Sequence, residues 1–277
     1  MSSQRKLSQH TKKSRIENSQ LSQSQASQSS SQRSRTDNLT EEQLEVAVQN
    51  VTAFLLCEMS NKRKIRKDDV VANALNKSAR QYAEIMKRSQ AILDNVFGLQ
   101  IARDPDHSDI FIILNKHQAR FVDLTLGLST DGDVQDDLIL TVVLGSIFMN
   151  RGQMYESHLM TILETVGFLS DKFYGSEGAH KMKDHVANLV KKTFVKQMYL
   201  DAEVVARPQQ QQRPPLPEGE MKVTVYKWGY RAMLEVNLDK LVDYLVKMHD
   251  GKVPQGFSKS YFNDLKKRQF EMKVSSF

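Results

Sequence analysis

Cysteine is all but missing: Cys57 stands alone among 277 residues. One thiol can form no internal disulfide and cannot supply a multi-cysteine zinc site, which fits a reducing compartment. Long apolar runs are missing too. The most apolar stretch, Leu138 to Met149, contains Thr141, Gly145 and Ser146. It falls well short of the ~20 residues a membrane span needs, so it reads as a core helix and no membrane contact is expected. No N-terminal stretch has the make-up of a secretory signal. Catalytic patterns are absent as well: no glycine loop cradles phosphate, no catalytic carboxylates pair, and His107, His117, His158, His180, His185 and His249 form no HxxxH or triad-like grouping. Asp136-Asp137 suits helix capping better than acid–base work. The expectation is a non-enzyme that uses neither cofactor nor metal.

What is present divides sharply by charge. The chain carries a net +6, but residues 1–38 hold seven Lys/Arg (Arg5, Lys6, Lys12, Lys13, Arg15, Arg33 and Arg35) against Glu17 and Asp37, a net of +5. The rest of the chain is therefore nearly neutral, and any DNA contact there must come from local patches. Residues 1–38 also contain twelve serines and seven glutamines, with Leu7, Ile16 and Leu21 as the large aliphatics. So little apolar surface predicts a disordered tail. Every glutamine in it follows a serine, where chance would give roughly two such pairs. The pairs begin at Ser3, Ser8, Ser19, Ser22, Ser24, Ser27 and Ser31. Ser-Gln is similar to the target dipeptide of the DNA-damage checkpoint kinases, which makes these serines candidate phosphorylation sites. A repeat expansion would leave the same pattern. The pairs Arg5-Lys6 and Lys12-Lys13 resemble a split nuclear-localisation signal.

Periodicity predicts a first folded unit over residues 39–127. Thr40 and Gln43 form a capping-box pattern, followed by an apolar stripe of Leu44, Val48, Val51, Phe54 and Leu55 to about Met59. Ile65 anchors a short strand inside a basic run, and Asp68 or Asp69 caps a second helix. A third helix starts near Ser78, with Tyr82, Ile85, Met86, Leu93, Val96 and Phe97 inward. Strands follow at Leu99–Arg103 and Asp109–Leu114. The same order recurs over residues 128–250. A helix runs from Asp136 or Asp137 to about Asn150, a short strand lies at Met154-Tyr155, and the next helix spans Glu156 to Val166 with Leu159, Ile162, Leu163 and Val166 on one face. A third helix covers about Gly178 to Val195, strands cover Met198–Val204 and Lys222–Trp228, and a closing helix covers Asn237–Met248. Between the last two strands lies a proline- and glutamine-rich wing insert, 207–220, whose Pro214–Pro217 fits a polyproline-II ligand. Residues 251–277 form an extension of weaker periodicity that either packs back on the fold or binds a partner. The fold class is mainly α with small β hairpins: two tandem winged helices, in which a third helix can enter the major groove while the hairpin touches phosphates.

Several strings then resemble the MAGE (melanoma-associated antigen) homology-domain family over roughly residues 42–248. They are Phe54–Leu56 leading into Lys64-Ile65, Val96–Leu99, Val143–Met149, Leu163–Gly167 and Trp228–Ala232. The resemblance implies two tandem winged helices and an adaptor that binds RING-type ubiquitin ligases. The family's ancestral branch, non-SMC element 3, implies a RING subunit and a kleisin subunit as partners in the SMC 5–6 complex. SMC proteins would then be engaged indirectly, duplex DNA would be contacted, and the setting would be DNA repair on nuclear chromosomes. Leu55-Leu56 matches the family's paired leucines and so is similar to a RING contact. The two point about 100° apart on a helix, and the stripe leaves Leu56 as the better surface residue. The candidate DNA contacts are Lys62, Arg63, Lys64, Arg66 and Lys67, with Lys191 and Lys192 on the later third helix. Solvated charge would look the same. Two other functions share these features: a ubiquitin-ligase substrate adaptor unconnected to chromosomes, and a winged-helix transcription factor. Against the latter, neither third helix shows the exposed Arg/Asn/Gln-rich face that base readout needs.

Overall fold

The computed structural model describes residues 39–77, 80–105, 107–116, 131–169, 171–206 and 222–276. The Ser-Gln segment, Ser78, the unit boundary near 127 and the wing insert lie outside the described residues. Two three-stranded antiparallel sheets organise the rest, with strand orders β1-β3-β2 and β4-β6-β5.

The first unit runs α1 (Glu41–Asn61), β1 (Ile65–Arg66), α2 (Lys67–Asn73), α3 (Tyr82–Phe97), β2 (Leu99–Arg103) and β3 (Ile110–Asn115). The capping box at the start of α1 is formed: the Gln43 N–H donates to Thr40 Oγ1 at 3.3 Å and the Thr40 N–H donates to Gln43 Oε1 at 3.1 Å. Leu44, Val48, Val51 and Leu55 then enter a core with Ile65, Ile85, Leu93, Leu99 and Phe111. Ile65 pairs with Phe111 on the central strand, which ties the basic run to the sheet. Asp69 does cap α2, from its first turn, by accepting the N–H of the N-cap residue Arg66 at 3.0 Å. One expectation needs correcting. Val96 and Phe97 are not inward but 69% and 47% exposed. Gly98, at φ 63°, turns the chain straight from α3 into β2, so Leu99 takes the core position and the last helical turn is left outside.

The second unit repeats the order. It comprises α4 (Asp131–Met149), β4 (Gln153–Tyr155), α5 (Glu156–Val166), α6 (Asp171–Asn188), a π-turn at Leu189–Thr193, α7 (Phe194–Lys196), β5 (Leu200–Ala206) and β6 (Lys222–Trp228). Three further helices follow: α8 (Tyr230–Glu235), α9 (Leu238–Met248) and α10 (Lys259–Ser276). Asp136 and Asp137 do not cap α4, which begins five residues earlier; Asp136 Oδ1 instead lies 2.7 Å from His185 Nε2 on α6. The third helix likewise starts at Asp171 rather than near Gly178, since a glycine inside a helix weakens it without ending it. Met198 is not the first strand residue but a turn at φ 63°. On α5, Leu159 and Leu163 are fully buried, whereas Val166 is 49% exposed, so the apolar stripe is wider than the core behind it.

Residues 251–276 pack back on the fold. Tyr261 and Phe262 of α10 join Phe148 and Phe257 in an aromatic cluster with ring centroids about 6 Å apart. Leu265 enters the main core of the second unit. Gly152 has φ +92°, and a Cβ there would sit 2.3 Å from the Tyr261 hydroxyl; both conditions demand glycine. Trp228 is a core-edge residue whose Nε1–H donates to the Leu144 carbonyl at 3.0 Å.

The two units meet through a small third core of Ala102, Ile112 and Leu114 from the first sheet against Leu234 of α8. Arg231 crosses this junction. It is 2% exposed; its Nε donates to the Gln197 carbonyl at 2.8 Å, and its Nη1 donates to the Ile113 carbonyl at 3.0 Å and to Glu235 at 2.8 Å. The Tyr199 hydroxyl donates to the other Glu235 oxygen at 2.5 Å. Gly229, two residues before Arg231, lets β6 pass so close to Met198 that a Cβ would lie 2.4 Å from its carbonyl oxygen.

Candidate partner and nucleic-acid surfaces

Because α1 buries one stripe, its opposite face is offered to solvent. Leu55 is fully buried, so it cannot itself touch a partner, and its place among the contact residues is corrected. Leu56, about 100° further round, is half-buried at the core's edge between exposed Ala53 and Met59. A partner can reach Leu56.

The basic run after α1 is partly spent on its own helix. Arg63 grips Glu58 bidentately, with Nη2 to Oε1 at 2.6 Å; this pair holds the Glu58 carboxyl below its usual range despite its burial. Lys67 Nζ stands 5.3 Å from the centre of the Tyr82 ring, a cation–π distance, and burial pushes the Tyr82 hydroxyl up to about 12. Lys64 and Arg66 point outward from β1 and its approach, while Lys62 is half-buried. In the second unit Lys191 is bound to Glu156 at 2.6 Å, whereas Lys192 is exposed. On the wing strand Lys227 is bound to Glu203 at 2.6 Å. The seven predicted cations thus fall on two separate units, and Arg63 and Lys191 already face carboxylates.

A third surface follows from the wide stripe on α5. Helices α4, α5 and α9 leave an open cleft of about 320 Å³, walled by Val142, Gly145, Met149, Ile162, Val166 and Leu245. Met248, 58% exposed, stands on its rim. Its lining is largely apolar side chain, which suits the apolar face of a helix rather than a phosphate. Sequence reasoning puts Ile162 and Val166 on one face with Leu159 and Leu163; Ile162 does pack partly buried against that core, while Val166 is 49% exposed. Such reasoning misses Arg231, visible in the sequence only as one letter of the Trp-Gly-Tyr-Arg-Ala string. Among the described residues no three His, Cys, Asp or Glu side chains gather as a metal site, and no helix is long and apolar enough to cross a membrane.

Comparison with known proteins agrees with this geometry. The MAGE homology domain matches residues 108–239, a narrower span than the 42–248 suggested by the strings. The chain is 27% identical over 230 residues to melanoma-associated antigen B10 of Homo sapiens, covering 82% of this chain and 59% of that protein. It is 23% identical over 211 residues to the non-structural maintenance of chromosomes element 3 homolog of Homo sapiens, covering 76% and 63% respectively. The chain thus spans about three fifths of the length of these two relatives. Among solved structures, a chain of the Nse1-Nse3-Nse4 complex superposes with a TM-score of 0.62 at 26% identity, covering 82% of this chain and 100% of that one.

Proposed function

We propose that the chain, which matches the MAGE homology domain over residues 108–239 and is similar to non-SMC element 3, is a non-catalytic adaptor subunit of a nuclear SMC 5–6 complex. The observation that carries this reading is the superposition on the whole of a chain solved within the Nse1-Nse3-Nse4 complex. The exposed face of α1 around Leu56 receives the RING-type ligase subunit and stimulates it. The α4–α5–α9 cleft receives an amphipathic helix of the kleisin subunit, and through the kleisin the SMC proteins are engaged indirectly. Contact with duplex DNA is non-specific; within the folded units it uses exposed Lys64, Arg66 and Lys192, with Lys62 and Lys67 beside them and Arg63 and Lys191 less available. Chromosome maintenance and DNA repair follow from that assembly.

Affinity purification of the tagged full chain from its native cells tests the proposal. A RING subunit, a kleisin and SMC subunits are expected together. The identity to melanoma-associated antigen B10 favours a second reading, a ubiquitin-ligase substrate adaptor apart from chromosomes. Recovery of a RING ligase without kleisin or SMC subunits would establish that reading instead. In the purified assembly, Val166→Asp is expected to release the kleisin and keep the RING subunit, and Leu56→Asp to do the reverse. Retention of both partners by both variants would refute the assigned surfaces.

A further inference from the structure

We propose that the C-terminal helix α10 is a releasable strap that holds the first unit against the second, with the Tyr230 hydroxyl as its catch. The helix is 18 residues long, about 27 Å, and its two halves face different neighbours. The first half belongs to the second unit: the Tyr261 hydroxyl lies over Gly152, Phe262 joins the aromatic cluster, and Leu265 is buried in the core. Buried Gln269 donates to the Val236 carbonyl at 3.0 Å, and Lys266 binds Asp239 at 2.8 Å, so the middle of the helix is fastened to the start of α9. The last turn reaches the junction between the units. Met272 packs against both the core of the second unit and the small third core. Ser276 is buried, with its Oγ 2.7 Å from the Tyr230 hydroxyl. That hydroxyl donates at 2.5 Å to the carbonyl of Arg103, the last residue of β2 in the first unit.

Between these attachments the helix stands off the first sheet. Gln269, Phe270 and Lys273 form one wall of an open groove of about 490 Å³, and Gln100, Leu114 and Lys116 of the first sheet face them. Phe270 and Val274 remain 69% and 66% exposed, so neither adds to the hold. The strap therefore grips the first unit through Met272, Ser276 and the catch alone, while a whole core grips its other end. A turn held by one apolar side chain and one polar relay opens far more readily than a core does. Release at that end leaves Tyr261, Phe262 and Leu265 in place and frees the first unit to move. The surfaces assigned to the RING subunit and the kleisin lie on different units, so the strap also sets their relative placement; that consequence alone rests on the proposed function.

The chain carries its own reporters, since Trp228 on the second unit is the sole tryptophan and Cys57, exposed on α1 of the first, is the sole cysteine. Energy transfer from Trp228 to an acceptor attached to Cys57 of the full chain, read as a lifetime distribution, follows the distance between the units. Met272→Asn/Ser276→Asp acts on the last turn and should broaden that distribution. Tyr230→Phe removes the catch without altering α10. It should speed hydrogen exchange of the amides of Met272 to Ser276 by about fivefold, the equivalent of one net hydrogen bond. Phe270→Ala/Val274→Ala, on the exposed side of the same turns, should change neither signal. Amides of α4 and β6 should exchange at wild-type rates in every variant. Three outcomes overturn the proposal: wild-type transfer in Met272→Asn/Ser276→Asp, unchanged last-turn exchange in Tyr230→Phe, or exchange in α4 and β6 that rises together with that of the last turn, which would make α10 simply part of the second core. RING capture and kleisin capture, measured one at a time, should persist in each variant, so failure of the assembly reading would be seen separately.

Discussion

Replacing Arg231 by Met should unfasten the two units. The Arg231 side chain is 3% exposed and that of its partner Glu235 13%. The pair is thus shielded from water, unlike the surface pairs elsewhere in the chain. Met fills much of the same volume but withdraws a charged donor from Gln197, Ile113 and Glu235 together. Removing one member of a buried pair costs about 3–5 kcal/mol, most of it from the charge left behind. We expect a loss in that range by urea denaturation, followed by circular dichroism and by the fluorescence of Trp228, which reports the second unit. The two main cores are distinct clusters that meet at the small third core beside Arg231, so weakening that junction should also separate unfolding into two transitions. Adding Glu235→Gln to the Arg231→Met variant keeps an acceptor for Tyr199 and should recover more than half of the loss. The exposed Lys227–Glu203 pair provides the contrast, and Lys227→Met should cost less than about 1 kcal/mol. If Arg231→Met lies within about 1 kcal/mol of wild type and unfolds in one step, the reasoning fails.

Other perturbations separate core from surface. Leu55→Ala opens a cavity in the first core and should cost about 2–5 kcal/mol, while Leu56→Ala at the edge should cost under about 1.5 kcal/mol and act on RING capture; equal costs would mean that the stripe is misassigned. Gly152→Ala meets both a positive φ and the Tyr261 hydroxyl, for a penalty of about 1–3 kcal/mol. Tyr261→Phe in that background should relieve the clash and leave the backbone strain, as a thermal melt would show. Glu58, its carboxyl held below 4.5 by Arg63, contributes stability that is present above about pH 4.5 and lost as pH falls through its lowered folded value. The urea midpoints of wild type and Glu58→Gln should therefore differ at neutral pH and converge in acid. A gap that persists at low pH would remove the ion pair as its cause.

The fold is largely legible in the sequence because its determinants are local. The Thr40 capping box, the α1 stripe, Ile65 as the strand anchor and β2 at Leu99–Arg103 all follow from short-range spacing, and all are formed. What spacing cannot supply is the packing between elements. Arg231 binds carbonyls 34 and 118 residues away in sequence, and no window of residues announces such a bond. Spacing misses the start of α6 because a glycine reads as a stop. It puts Val96 and Phe97 inside because helical period says which face a residue lies on, but not where along its length the helix leaves the core.

That distinction governs how partner surfaces can be read from a chain of this kind. Leu159, Ile162, Leu163 and Val166 form one apolar stripe, and a core residue and a docking residue are chemically the same in it. The difference is width. On α5, Leu159 and Leu163 are 0% exposed, and Ile162 packs partly buried against the same core. Val166 extends the stripe beyond what that core covers, and with the outer side of Ile162 it lines the α4–α5–α9 cleft. A partner surface on such a chain is read from that surplus, the apolar surface beyond what the core consumes.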